Sequence, residues 1–260
     1  MQKSSTSTMA SFENKSVIVT GCSNGVGLAT VLLFLSRNAR VFGIDIAPFT
    51  HSLDATQSAN FTFHQADLCS PNAACDAVAA CTAKHGPKID VLANVAGIMD
   101  NFESVDTLQD SVWDRVMAIN LTAPVRMMSA VIASMKEHKD GAIVNVGSRA
   151  SLSGATAGVA YTASKHGLIG ATKNVAWRFK QEGIRCNAVL PGGVSDTNIS
   201  ASLDMTKMDQ VGYQQYMPVH NLNQHTVAEE VAQGIVFLAS DHAKSMSGVI
   251  MPIDNAWSTI

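Results

Sequence analysis

The chain has 260 residues and a formal net charge of −3, from 18 basic and 21 acidic side chains. That length allows one large domain or two small ones, and the near balance of charge, with no basic run, excludes nucleic acid as the main partner. Only 15% of the residues are charged, against about 25% in an average protein. This leaves two readings: a compact protein with a small polar surface, or an uncharged surface covered by another subunit or a large apolar ligand.

Met1 to Ser11 is rich in Ser and Thr, lacks Arg and has no apolar core, so it reads as a disordered tail and not as a signal or transit peptide. The first buried strand is expected at Ser16–Thr20, followed by helical spacing over Gly25–Asn38. Arg40–Asp45 and Phe61–Ala66 read as strands, and Pro71–His85 as a helix with its proline near the first position. Asp90–Val95 is a fourth strand. The long helical stretch Ser111–His138 contains Pro124, which predicts a kink or break. Ala142–Val146, Ile184–Leu190 and Val249–Ile253 complete seven strands, with helices expected at Ala160–Glu182 and Val227–Ser240.

These strands are continuous apolar runs, as a parallel sheet covered on both faces requires. Strand–helix alternation gives right-handed crossovers and a doubly wound, Rossmann-like α/β sheet in a single domain over 12–260. The segment 191–226 is long, Met-rich and without periodicity, and reads as a substrate loop. No apolar stretch approaches the ~18–20 residues of a membrane span, so no membrane partner is expected. Five cysteines, an odd number without a C-x-x-C pair, fit a reducing compartment and a cytoplasmic location. The eight histidines lack zinc-site spacing, so no metal is predicted.

After the first strand comes Thr20-Gly21-Cys22-Ser23-Asn24-Gly25-Val26-Gly27, then a helix. A glycine-rich turn there lets backbone N–H groups and the positive helix end face a pyrophosphate. The spacing T-G-x-x-x-G-x-G resembles that of the short-chain dehydrogenases/reductases, and the resemblance continues through nearly the whole chain after the tail. Asp45 ends the second strand, where a carboxylate accepts the adenosine ribose hydroxyls and repels a 2′-phosphate. Ile46 follows it and the loop carries no charge, so NAD is favoured over NADP. The resemblance further assigns cofactor contacts to Ser23, Asn24, Asp67, Leu68, Asn94, Ala96 and Gly97, and to the turn Pro191, Gly192 and Val194.

Tyr161 and Lys165 stand four residues apart, so on a helix they share one face. The ammonium stabilises a phenolate, which makes Tyr161 a general base for an alcohol or a general acid for a ketone. Ser148, thirteen residues before Tyr161, matches the family's substrate-orienting serine, and Asn120 the residue that holds a relay water. The resemblance therefore implies oxidation of a secondary alcohol, with a small hydrophobic alcohol or ketone as partner. Leu203, Met205, Met208, Val211, Tyr213, Tyr216 and Met217 suggest an apolar pocket for a terpenoid, steroid-like or polyketide compound.

Four departures stand out. Val95 replaces the second Asn of N-N-A-G, and Pro191 to Thr197 is one residue longer than P-G-x-V-x-T, which puts the reach of Thr197 in question. Asp254-Asn255-Ala256 replaces D-G-G, and Arg149 follows Ser148, where it reads as an anion ligand or as a surface or salt-bridged residue. The wording of the chain is also similar to fungal secondary-metabolism members. The family implies a homo-oligomer, dimer or tetramer, joined through the two long helices, which places the missing charge at buried subunit faces.

Overall fold

The computed structural model describes residues 11–199, 203, 206–222 and 224–260. Residues 1–10 of the expected tail, and Met205, lie outside the described residues. Seven strands form one parallel sheet: β1 Ser16–Thr20, β2 Arg40–Asp45, β3 Phe61–Gln65, β4 Val91–Asn94, β5 Gly141–Val146, β6 Ile184–Pro191 and β7 Ile250–Ile253. Their order is β3-β2-β1-β4-β5-β6-β7. The order reverses between β1 and β4, where open α/β sheets place their ligand crevice, at the carboxyl ends of the strands.

Side chains alternate between two buried layers, so a strand apolar throughout feeds both. Val17 and Val19 of β1 join Val31 and Phe34 of α1 (Gly25–Leu35) and Val231 and Ile235 of α8 (Ala228–Ala239). Ile18 faces the other way. It meets Ala77 of α3 (Ala73–His85), Met127 and Val131 of α5 (Ala123–His138) and Ala176 of α6 (Val159–Arg178). Three shorter helices complete the set: α2 Ala55–Asn60, α4 Asp110–Met117 and α7 Gln210–His220.

Several boundaries differ from expectation for identifiable reasons. α1 stops at Leu35, and the chain turns at Asn38, which holds a left-handed φ of 64°. Pro71 lies ahead of α3, outside the helix, with Asn72 at the N-cap. α2 was not expected because it buries nothing. Asp54 caps it, accepting from Gln57 N at 2.8 Å while Gln57 Oε1 accepts from Asp54 N at 3.1 Å. α6 ends at Arg178, and 180–182 forms a separate single turn.

Pro124 does not break the long helical stretch. A π turn, Ala118–Thr122, joins α4 to α5, and Pro124 falls in the first turn of α5, where a missing N–H is tolerated. The resulting run, 110–138, has 29 residues and a mean hydropathy of 1.5 over its most apolar stretch. By length and composition it is apolar enough to cross a membrane, which corrects the expectation that nothing approaches that size. Counting only uninterrupted apolar residues missed it, because Arg126 sits inside. Its Met127, Val131 and Met135 are fully buried in the core.

The β1–α1 turn leaves no room for side chains. A Cβ on Gly27 would stand 1.8 Å from the Gly21 carbonyl oxygen, and one on Gly21 would stand 2.8 Å from Ala96 Cα. Gly27→Ala must therefore push the turn off the helix. Urea unfolding is expected to show a loss of about 1–3 kcal/mol, while an Ala at the open Gly154 leaves the midpoint in place.

Candidate active site

One cleft of about 690 Å³ opens along the carboxyl ends of the strands, from the glycine turn to Trp257. At one end Gly21, Asn24, Gly25, Val26 and Gly27 form its floor, followed by Asp45 and Ile46 from β2 and Asp67 and Leu68 after β3. Ser23 stands behind this wall. Its N–H donates to Asp45 Oδ2 at 2.9 Å and its hydroxyl donates to Ala47 O at 3.1 Å. Ala47 N donates to Asp45 Oδ1 at 2.9 Å, so both carboxylate oxygens are fixed by amides and keep lone pairs for a ligand. Among the described lining residues the lysine and arginine are Lys165 and Arg149, which belong to the other end.

The middle of the cleft joins β1 to β4. Thr20 Oγ1 accepts from Val95 N at 3.0 Å and from Ala96 N at 3.2 Å, which draws the exit of β4 against the glycine turn. Asn94 touches the cleft, but its amide points into the core, donating to Asn145 Oδ1 at 2.9 Å and to Pro124 O at 3.4 Å. Val95, in place of the family's second Asn, contributes only its backbone to these bonds.

Ser148, Tyr161 and Lys165 all line the reacting end. Ser148 follows β5, and its Oγ accepts from Ala150 N at 3.1 Å. Tyr161 and Lys165 share the inner face of α6, with Lys165 Nζ 5.5 Å from the Tyr161 ring centre. Lys165 Nζ donates to Val146 O at 2.9 Å. Burial pushes the Tyr161 phenol up to about 12. The Ser148 hydroxyl works against this rise and Asp100 adds to it. Burial brings the Lys165 ammonium down to about 8.

Asn120 sits behind the cleft wall on the π turn, fully buried. Its Oδ1 accepts from Ile98 N at 2.9 Å, and its Nδ2 donates to Ile98 O at 2.9 Å and Ser164 Oγ at 3.2 Å. Beside it, a Cβ on Gly97 would stand 3.3 Å from Asn120 Oδ1 and 3.5 Å from Lys165 Nζ. Glycine thus leaves the space between the two groups open.

Pro191, Gly192 and Val194 line the far wall. The extra residue is absorbed by a parallel bridge between Val194 and Thr226, while Asp196 Oδ1 accepts from Ala228 N at 2.7 Å at the start of α8. Thr197 then reaches back to the glycine turn, where its Cβ would meet a Cβ on Gly25 at 3.0 Å. Asn198 Nδ2 donates to Asn24 Oδ1 at 3.3 Å. Asn255 and Ala256 hold left-handed φ values of 48° and 67°, the conformation for which glycine is the unstrained residue. Arg149 is buried, not on the surface, and donates to Ile260 O at 2.9 Å.

Sequence reasoning missed two groups. One is Asp100, nearly inaccessible, which accepts from Gly158 N, Phe102 N and Tyr161 N at 3.0, 3.3 and 2.8 Å. The other is His220 and His225, which join Tyr213, Tyr216 and Trp257 in the wall. The spacing of Tyr216 and His220, four apart between two predicted elements, was the available signal.

Comparison with known proteins fits this geometry. The family profile described as short chain dehydrogenase matches residues 15–208. "Short chain dehydrogenase ausX" of Penicillium brasilianum is 50% identical over 97% of this chain and 100% of its own. "Asnovolin H dehydrogenase nvfC" of Aspergillus novofumigatus is 46% identical over the same shares. The crystal structure of levodione reductase superposes with a TM-score of 0.84 at 27% identity, covering 95% of this chain and 99% of that one. The chain belongs to the short-chain dehydrogenase/reductase family of oxidoreductases.

The buried ammonium has a stability signature. With the Lys165 pKa at about 8, against an ordinary 10.5, the unfolded chain binds more protons between those values. Its burial penalty is therefore full below pH 8 and fades as pH rises. Urea titrations of the wild type and Lys165→Met are expected to show the wild type gaining on the variant between pH 8 and 10.5. The raised thiols of Cys22, Cys81 and Cys186 are common to both proteins and cancel in the comparison.

Proposed function

We propose that this protein oxidises a secondary alcohol of a mid-sized, largely hydrophobic molecule to a ketone, with NAD as hydride acceptor. The observation that carries the reading is the convergence of Ser148, Tyr161 and Lys165 in the same cleft as the glycine turn. The residues present fit a dinucleotide: glycines at which a side chain would fill the cradle, and a fixed carboxylate at the end of β2.

Bound NAD supplies the hydride-accepting ring and its positive charge. The chain supplies the rest. Tyr161 Oη takes the proton of the substrate hydroxyl as the hydride leaves its carbon. The Ser148 hydroxyl donates to the reacting oxygen and holds it in line. Lys165, cationic below pH 8, lowers the cost of the phenolate, and the open space at Gly97, between its ammonium and Asn120, leaves room for a water to take the proton outward. Asp45 supports NAD over NADP, because a 2′-phosphate beside a fixed carboxylate with no neighbouring lysine or arginine in the described wall is repelled.

One observation favours the reverse direction, ketone reduction: burial holds the Tyr161 phenol protonated, as a general acid requires. The apolar wall of Phe102, Tyr213, Tyr216 and Met217 supports a terpenoid, steroid-like or polyketide substrate. The relative named asnovolin H dehydrogenase, from Aspergillus novofumigatus, supports a place in fungal secondary metabolism. A groove of about 420 Å³ between α5 and α6, lined by Val125, Ile132, Ala171 and Phe179, supports a homo-oligomer.

A screen of NAD reduction over hydroxylated terpenoids, steroids and polyketides tests the activity. Tyr161→Phe is expected to lower kcat by about 10²–10⁴-fold; an unchanged rate would sink the reading. Calorimetry is expected to show NAD binding at least about tenfold tighter than NADP, with Asp45→Ala closing most of that gap.

A further inference from the structure

The residues assigned to hydride transfer leave one polar pair in the cleft without a task. Tyr216 and His220 stand one turn apart on α7, with Tyr216 Oη 2.6 Å from His220 Nδ1. We propose that this pair is a subsite for a second oxygen of the substrate, a ketone, ester or lactone carbonyl remote from the reacting carbinol. The proposal rests on the dehydrogenase reading of the same cleft and adds a substrate class to it.

The pair carries one more proton than its mutual bond uses. Burial and the neighbouring His225 hold the His220 imidazole below its ordinary value, and burial pushes the Tyr216 phenol up to about 12. Both groups are therefore neutral near pH 7. A neutral phenol carries one O–H and a neutral imidazole one N–H. Their mutual bond uses one of these protons. Whichever tautomer the imidazole adopts, one donor is left over: the Nε2–H when Tyr216 donates, or the O–H when Nδ1–H donates. No other protein acceptor among the described residues takes it, and both side chains line the cleft. A leftover donor beside the apolar Phe102, Met217 and Trp257 of this wall selects a ligand acceptor.

The pair is also held in place. The Tyr216 ring lies 4.8 Å from Phe102 and 4.9 Å from His220, and His220 meets His225 at 5.1 Å. Trp257 Nε1 donates to Val219 O at 3.0 Å, which ties the end of α7 to the C-terminal segment and spends the indole donor. A second polar group in the lining is consistent with an oxygenated ligand: the Thr156 hydroxyl is buried without a partner.

The test compares two steroids that differ only in the distal oxygen, 3α-hydroxy-5α-androstan-17-one and 5α-androstan-3α-ol, titrated calorimetrically into the full chain. Water solvates a carbonyl better than a methylene, so apolar burial alone favours the deoxo compound. The subsite predicts the opposite, with the ketone bound up to about tenfold more tightly, the value of one hydrogen bond. In Tyr216→Phe/His220→Phe the ratio is expected to fall to about 1. Failure of the ketone to bind, equal affinities in the wild type, or a ratio that survives the double substitution overturns the subsite. The wild-type ratio decides even where the variant does not fold. Turnover is read separately: ketone-selective binding without NAD reduction would overturn the dehydrogenase reading and leave the subsite standing.

Discussion

The reacting end of the cleft depends on how the first turn of α6 is held. Helix N-termini carry orphan amides and a partial positive charge, and here the buried carboxylate of Asp100 meets both. It accepts from the amide of Tyr161 itself, so that residue is fixed in the cleft wall through its own backbone. A Cβ on Gly158 would come within 2.6 Å of Asp100, which is why the helix begins on glycine. From that anchor the 3.6-residue period fixes Lys165, and the Val146 carbonyl fixes its ammonium.

A second set of polar bonds runs beneath the floor. Asn94 on β4 donates to Asn145 on β5, and Asn145 donates to Thr172 on α6 at 2.9 Å. Asn120 closes the same circuit from the π turn, pairing with Ile98 as one strand pairs with another and reaching Ser164. Such bonds are directional where apolar packing is not, so they set the register of β4, β5, α6 and the π turn to within a few tenths of an ångström. The scarcity of surface charge has a counterpart here: much of the chain's polarity is spent on internal amides and hydroxyls.

What the sequence made legible follows from local rules. Strands buried on both faces announce themselves as apolar runs, and glycines at a strand–helix turn report close backbone approach. All seven strands and the glycine turn were therefore readable, as was the shared face of Tyr161 and Lys165. The illegible parts obey other rules. α2 has no buried face, so no periodicity betrays it. The π turn inserts one residue into a helical period, which looks like a proline break. Ser23 and Asn120 have the residue types of ligand contacts, yet their polar atoms serve other protein groups. Asp100 matters through Gly158 and Tyr161, some sixty residues further along the chain, and no spacing rule reports that; His220 had only its four-residue spacing from Tyr216 to mark it, in a segment of weak periodicity.

The parallel sheet carries a consequence for how the chain assembles. All strand pairings are parallel, so consecutive strands are linked by crossovers, and β1, first in the chain, pairs with β4 across Val17↔Val91, some seventy residues later. The cleft draws its floor from Gly21 and its far wall from Trp257. Pairings of such separation make folding slow, because loop-closure entropy is lost before any contact repays it. A nascent chain thus carries Tyr161, Lys165 and the glycine turn long before it has an enclosed cleft. The binding wall becomes the last part of the molecule to mature.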